Sequence, residues 1–228
     1  MKNKSYIWIS FIVLVFGIYA IPKIVARIKN GTIVQNDRLD SAAKSENPES
    51  TLYTVGNVPA FSLTNQDNTT INQNSYAGKV YVIEFFFSTC ATICPIMNRN
   101  MVEIQNHFKN DSNFGIASIS INPKTDTPEI LKKHAQDLKV TNPNWSFLTG
   151  DQDYIMNLSN KGFNLFAALN PKIEQGFEHS GLFALVDKKG KIRCRRDQFG
   201  NPIAYYDGLE KAGIDMLKTD IELLLNEK

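Results

Sequence analysis

Long apolar runs and helical repeats of apolar side chains alternate along the chain. Residues 80–87 (VYVIEFFF) and 114–122 (FGIASISIN) are nearly continuous apolar runs, a pattern typical of strands that are buried on both faces of a sheet. Between them, Met97 and Met101 lie at helical spacing after Pro95, which suits the first turn of a helix. The pattern therefore predicts a strand, a loop, a helix and a second strand.

The flanking segments extend this pattern into a larger domain. A hairpin is predicted around Phe61, a second helix after the motif DTP at residues 126–128, and a third strand at residues 145–148. Residues 182–195 form a second predicted hairpin, and an amphipathic helix follows Asp207. Strands that alternate with helices between two hairpins indicate an α/β domain with a central mixed sheet flanked by helices.

The N-terminal part of the chain has a different composition. Residues 5–22 are uncharged and mostly apolar, and as a helix they would span about 27 Å, close to the thickness of a bilayer core. We predict a single transmembrane helix there, within an anchor at residues 1–29, followed by a polar tether at 30–55 and a folded domain at 56–228. A cleaved signal peptide is the alternative, although the apolar run is long for one.

Charge is unevenly distributed along the chain. The formal net charge is +2, and the first 29 residues hold basic but no acidic side chains, so the remainder is slightly acidic. No basic patch favours nucleic-acid binding. Because basic residues prefer the cytoplasmic side of a membrane, we expect the short N-terminal tail in the cytoplasm and the domain on the other side.

Two cysteines, Cys90 and Cys94 in the sequence CATIC, lie where the first buried strand ends and the helix begins. A thiol ahead of a helix N-terminus is favoured as the thiolate, which attacks disulfides and binds soft metals. The spacing alone does not decide between these two activities. The third cysteine, Cys194, is predicted to be a buried apolar side chain in a strand.

Three histidines are available as a further ligand. His107 and His134 lie among polar helical neighbours, so both are predicted to be solvated surface side chains. His179 directly precedes a buried strand, where a loop residue can face the loop that ends a neighbouring strand. From the residues alone, a ligand or catalytic role and a structural role both stay open for His179.

Four stretches of the chain, taken together, resemble the Sco/SenC family, the thioredoxin-like copper proteins of cytochrome c oxidase assembly. They lie within residues 56–225 in the family's order: AGKVYVIEFFFSTCATICPIMNRNM, SISINPKTDTPEILKKHA, NWSFLTGD and EHSGLFALVDKKGKI. The resemblance implies a thioredoxin-like fold and one copper ion bound by Cys90, Cys94 and His179. It also implies a single-pass anchor in the bacterial cytoplasmic membrane, a domain in the periplasm, and a copper-bearing oxidase subunit or other cuproprotein as partner.

Two positions depart from the family's pattern. Asn122 stands where the family's DPxxDTP motif has its first acid, and Ala91 follows the first cysteine in place of the common proline. Neither change removes a ligand. Two thiolates and one imidazole suit Cu(I), and with a further donor they can also hold Cu(II).

Two alternatives use the same cysteines differently. A thiol-disulfide oxidoreductase would use Cys90 as the attacking thiolate and Cys94 as the resolving partner. A plain binding module would hold zinc or a structural disulfide at the two cysteines, although structural zinc sites need four protein ligands. We favour a metallochaperone over an enzyme, with a thiol reductant as a second partner and thiol-disulfide reductase activity as the alternative.

Overall fold

The computed structural model describes residues 10, 14–19, 21–22, 52–172 and 176–227. Much of the membrane helix predicted at residues 5–22, and the predicted tether up to residue 51, lie outside the described residues. Those residues of the predicted helix that are described are helical. Within the described parts of the chain, no helix has both the length and the apolar character that crossing a bilayer requires.

From residue 52 onward, the described chain forms eleven strands and four α-helices. The strands are β1 (Tyr53–Asn57), β2 (Ser62–Asn65), β3 (Thr70–Asn72), β4 (Val80–Phe86), β5 (Phe114–Ser120), β6 (Trp145–Thr149), β7 (Ala167–Leu169), β8 (Phe177–His179), β9 (Leu182–Val186), β10 (Lys191–Cys194) and β11 (Tyr206–Asp207). The α-helices are α1 (Cys94–His107), α2 (Pro128–Asp137), α3 (Gln152–Asn157) and α4 (Lys211–Asn226).

The strands form a central mixed sheet, as predicted. Its order is β1-β10-β9-β4-β5-β6-β2-β3, and β11 adds to β9. The three central strands β4, β5 and β6 are parallel, whereas the outer strands pair antiparallel with their neighbours. Strands β7 and β8 form a separate two-stranded antiparallel sheet.

The core follows the apolar pattern of the sequence. Every residue of β4 and β5 is buried, which confirms the two strands predicted from continuous apolar runs. In α1, Met97, Met101 and Ile104 are all 0% exposed, so the apolar face predicted from their helical spacing packs into the domain. Thr127 caps α2 by accepting a hydrogen bond from the backbone N–H of Ile130, as the DTP motif predicts.

Both predicted hairpins are present. In the turn between β2 and β3, the side-chain oxygen of Asn65 accepts hydrogen bonds from the backbone N–H groups of Asp67 and Thr69. The turn between β9 and β10 contains Gly190 with φ of 73°, a left-handed conformation that glycine adopts without a steric penalty. These turns fix the register of the strand pairs on either side.

The start of the folded domain differs from the prediction. Strand β1 begins at Tyr53 and pairs with β10, and Leu52 before it is buried, so residues 52–55 belong to the domain and not to the tether. This strand lies at the sheet edge, is only partly buried, and has an irregular register between Thr54 and Gly56. Such a short, half-exposed edge strand lacks a recognisable apolar pattern.

Candidate metal centre

The two cysteines of the CATIC sequence lie together at the carboxyl end of β4. Cys94 is the first residue of α1, and Cys90 lies in the loop before it, with its backbone N–H donating to the carbonyl of Phe87 over 3.2 Å. The exposed fractions are 8% for Cys90 and 1% for Cys94. Both are free thiols in this structure.

His179 reaches the cysteines from the two-stranded sheet of β7 and β8. It is the last residue of β8 and pairs with Ala167 of β7. Its ring packs edge-on against the ring of Phe87, with the two centroids 5.7 Å apart. Phe177, also in β8, packs against the Phe87 ring with a centroid distance of 5.6 Å. Phe87, which ends the apolar run of β4, therefore positions the strand that carries the imidazole.

The hydrogen bonds of His179 select one tautomer. Its Nδ1 lies 3.0 Å from the carbonyl oxygen of Ser180, and a carbonyl can only accept, so Nδ1 carries the proton. In the neutral ring Nε2 then has a free lone pair, and this atom lies 3.1 Å from Cys94 Sγ. The Ser180 carbonyl is the outer partner that a metal-binding imidazole requires.

The three side chains converge on one point. One sulfur or nitrogen atom from each of Cys90, Cys94 and His179 lies within 4.8 Å of the other two. Two ligands that are each about 2.3 Å from an ion can be at most about 4.6 Å apart, so a small contraction suffices to bring all three atoms into bonding distance. The donor set of two sulfurs and one imidazole fits copper.

Hydrogen bonds around the sulfurs change the two thiol pKa values in opposite directions. The bond from Cys94 is the main cause that lowers the pKa of Cys90, and it outweighs the opposing effect of burial. The Thr92 hydroxyl, 3.5 Å from Cys90 Sγ, and the backbone N–H of Cys94 lower it further. The same hydrogen bond between the two side chains, together with burial, raises the pKa of Cys94. These shifts favour the thiolate at Cys90 and the thiol at Cys94.

A buried carboxyl group, Glu84 in β4, lies behind the site. Its Oε1 accepts a 2.6 Å hydrogen bond from the Ser118 hydroxyl, which in turn accepts from the indole N–H of Trp145. No partner among the described residues reaches Oε2. Burial raises the pKa of Glu84 to about 7, and the hydrogen bond from Ser118 and the coulombic interaction with His179 offset this rise only in part. The sequence analysis did not single out Glu84.

The other two histidines lie away from this group. His107 is exposed and forms a 2.7 Å ion pair with Glu222, which confirms it as a surface side chain. The prediction for His134 was wrong, because its ring is half-buried, stacks on Phe86 and packs edge-on against Phe147. This burial lowers its pKa. Cys194, as predicted, is fully buried in β10.

Comparison with known proteins identifies the family. The family model described as SCO1/SenC matches residues 52–212, which is more than half of the chain. The chain belongs to the SCO1/SenC family. A curated relative, the SCO1 protein homolog of Bacillus subtilis, is 31% identical over 167 residues, an alignment that covers 72% of this Sco chain and 81% of the relative.

Solved structures show that the fold is shared with Sco proteins. The structure of BsSco, described as a member of the Sco family of cytochrome c oxidase assembly proteins, has a TM-score of 0.63 at 28% identity. The alignment covers 77% of this chain and 98% of the BsSco chain. Yeast Sco1 with copper bound has a TM-score of 0.56 at 24% identity, with 77% of this chain and 91% of that chain aligned. These likenesses support the thioredoxin-like α/β fold expected from the sequence.

Proposed function

We propose that this Sco protein binds one copper ion through Cys90, Cys94 and His179 and delivers it to a respiratory copper protein. The convergence of these three side chains within 4.8 Å is the observation that carries the proposal. Copper is the cargo here, so the site has to release the ion as well as hold it. BsSco is described as a member of the Sco family of cytochrome c oxidase assembly proteins, which supports a copper centre of that oxidase as the destination.

The chemistry of the donor set supports Cu(I) as the form carried. Cu(I) is a soft ion, and two thiolate sulfurs with one imidazole nitrogen match its preference. Cys90 keeps 8% of its surface exposed and His179 is half-buried, so a partner can approach the site from one side. A thiolate or imidazole of the partner can then bind the ion as one of the three ligands leaves.

We further propose that the chain is anchored by a transmembrane helix in residues 5–22, with a tether up to the domain and the copper site in the periplasm. The uncharged, apolar character of that segment and the basic residues around it support this arrangement. An anchor places the copper site close to membrane-bound respiratory enzymes. A thiol reductant is a further expected partner, because copper loading needs both thiols reduced.

A copper titration tests the ligand set. The full chain in detergent, reduced and kept free of oxygen, is titrated with Cu(I) against a competing chelator while free thiols are counted. We expect one Cu(I) per chain, and His179→Ala should weaken binding about 100-fold or more. His107→Ala is the matched control and should bind like wild type, because His107 pairs with Glu222 away from the site. Equal affinity in the His179 variant would refute the three-ligand site.

The alternative function, thiol-disulfide exchange, has its own support. The adjacent Cys90 thiolate and Cys94 thiol are arranged as an attacking and a resolving sulfur. BsSco is described as containing a disulfide switch, a property stated for that protein. Exchange with a model disulfide that persists fully in His179→Ala, combined with no copper binding in wild type, would favour this alternative.

A further inference from the structure

Asp126 is a buried carboxylate that faces hydrogen-bond donors near the copper site. Its side chain is 0% exposed. The backbone N–H of Ser88 donates to its Oδ2 over 3.0 Å, the Ser88 hydroxyl donates to its Oδ1, and the Ser120 hydroxyl donates to its Oδ2. The hydroxyls of Ser88 and Ser120 are both donors here, and the carboxylate oxygens of Asp126 accept.

These donors come from the two central strands at the carboxyl end of the sheet. Ser88 lies two residues before Cys90, where the chain leaves β4, and Ser120 is the last residue of β5. The Ser120 hydroxyl also accepts from the backbone N–H of Asn122, so the contact continues into the loop after β5. One carboxylate therefore connects the start of the cysteine loop to the end of the neighbouring strand.

Helix capping does not explain this burial. Thr127, the next residue, caps α2 with its own hydroxyl, so Asp126 is not needed for that purpose. Burying a carboxylate is unfavourable unless its oxygens are hydrogen-bonded, and here the three donors supply those bonds. Two of the three donor groups belong to Ser88, so Asp126 mainly holds the start of the cysteine loop.

The two cysteines depend on this contact to different degrees. Cys94 is fixed by its place in α1 and lies 3.1 Å from His179. Cys90 lies in the loop, where its backbone N–H donates to the carbonyl of Phe87 and the Thr92 hydroxyl lies 3.5 Å from its sulfur. The direction in which the chain leaves β4 at Ser88 therefore decides where the Cys90 sulfur lies.

We propose that Asp126 is a positioning residue of the copper site, which holds Ser88 and thereby places Cys90 Sγ beside Cys94 and His179. The proposal rests on the proposed function for its copper readout, but the placement of Cys90 can be measured without copper. The Asp126 side chain bonds to Ser88 and Ser120 and not to Cys90, Cys94 or His179. Its effect is transmitted through the two residues that separate Ser88 from Cys90.

Asp126→Asn is the primary test, because an amide presents an NH₂ group to donors and cannot accept all three bonds. Two properties are measured on the reduced full chain: Cu(I) affinity by chelator competition, and the pH dependence of Cys90 alkylation in the metal-free protein, mapped by mass spectrometry. We expect copper affinity to fall about 10- to 100-fold. The midpoint of the Cys90 alkylation profile should move to higher pH as the sulfur leaves its donors.

Asp187→Asn is the matched control. Asp187 is also buried and accepts hydrogen bonds from two backbone N–H groups, those of Lys189 and Lys191, but it lies at the turn between β9 and β10. Its replacement should destabilise the fold and leave both the copper affinity and the alkylation profile of Cys90 unchanged. An equal loss of copper affinity in both variants would show a general stability effect and would overturn the proposal.

Ser88→Ala covers the case in which Asp126→Asn does not fold. It removes one donor and leaves the backbone bond, so we expect smaller changes in the same direction. If Asp126→Asn folds and keeps the Cu(I) affinity and the Cys90 alkylation profile of wild type, the positioning role is refuted. If only Ser88→Ala folds, the same result in that variant refutes it. If wild type binds no Cu(I), the proposed function fails, whereas a shifted Cys90 profile in Asp126→Asn would still support the positioning of Cys90.

Discussion

Cys90 and Cys194 are both buried, yet their surroundings have opposite effects on the thiol. Their exposed fractions are 8% and 0%. At Cys90, hydrogen bonds led by the one from Cys94 lower the pKa despite burial. At Cys194, burial is the largest effect and raises the pKa, while backbone bonds from Ala204 and Ile203 offset it only in part. Hydrogen bonds outweigh burial at Cys90 and favour the thiolate, whereas burial outweighs them at Cys194 and favours the thiol.

The difference follows from the position of each cysteine in the fold. Cys194 ends β10 and belongs to the packed core on that side of the sheet. Cys90 lies in a loop at the carboxyl end of a central parallel strand, where α1 begins and His179 arrives from a separate sheet. In such sheets the carboxyl ends of the strands are where ligands bind.

Replacing the sulfur ligands should give the largest effect. Cys90→Ser or Cys94→Ser exchanges a soft thiolate for a hydroxyl, so we expect Cu(I) affinity to fall on the order of 1,000-fold, or about 4 kcal/mol. Cys194→Ala should bind Cu(I) like wild type. Chelator competition on the three reduced variants measures this. A comparable loss in Cys194→Ala would remove the distinction between the two kinds of cysteine.

Glu84 extends the comparison to a carboxyl group. As at Cys194, burial is the largest effect on its pKa and raises it. Its folded pKa of about 7 exceeds the ordinary 4.5, so the folded state holds the proton between about pH 4.5 and pH 7, where the unfolded chain loses it. The associated stability is complete below about pH 4.5 and is lost as pH rises through 7, with a total of about 3 kcal/mol. Gln does not titrate, so the free energy of unfolding of Glu84→Gln, relative to that of wild type, should rise by about 3 kcal/mol between pH 4.5 and pH 9.

Denaturant unfolding of the reduced, metal-free chain at several pH values measures this difference. Parallel pH profiles for wild type and Glu84→Gln would show that Glu84 is ionised normally in the folded chain.

Alkylation rates should separate the two thiols by at least about 100-fold. In the reduced, folded chain at pH 6, iodoacetamide should modify Cys90 rapidly and Cys194 only after unfolding. Mass mapping of the modified peptides over time gives both rates. Similar rates for the two cysteines under native conditions would mean that the donors around Cys90 do not hold it as the thiolate.

The smallest expected effect is on stability at Cys194. Cys194→Ala removes one buried sulfur from the core, which should lower the free energy of unfolding by about 1 kcal/mol. Denaturant unfolding measures this change. The same variant should bind Cu(I) with the affinity of wild type. A loss well above this value would show that Cys194 has a structural role beyond packing.

The sequence could predict the elements whose pattern is continuous and local. The apolar runs of β4 and β5 and the spacing of Met97 and Met101 depend on neighbouring residues alone, and each prediction is confirmed. The predicted tether includes the first three residues of the short edge strand β1, because this partly buried strand has no apolar pattern. Local patterns carry little information about strands of this kind.

The surroundings of the site depend on contacts between distant segments. The neighbours of His134 in sequence are polar and predict an exposed ring, but Phe86 of β4 and Phe147 of β6 pack against it. Asp126 and Glu84 bond to Ser88 and Ser118, which lie 38 and 34 residues away along the chain. An acid in the loop after a buried parallel strand is the signal by which Asp126 could have been found.

The distance along the chain between the sulfurs and the imidazole has a consequence for biogenesis. Cys90 and Cys94 are neighbours in any conformation, so a nascent or unfolded chain can already join them by oxidation. His179 is 85 residues beyond Cys94 and meets it only when β8 has docked. An ion held by all three acts as a cross-link across that interval, so copper-loaded protein should melt at a higher temperature than the metal-free form.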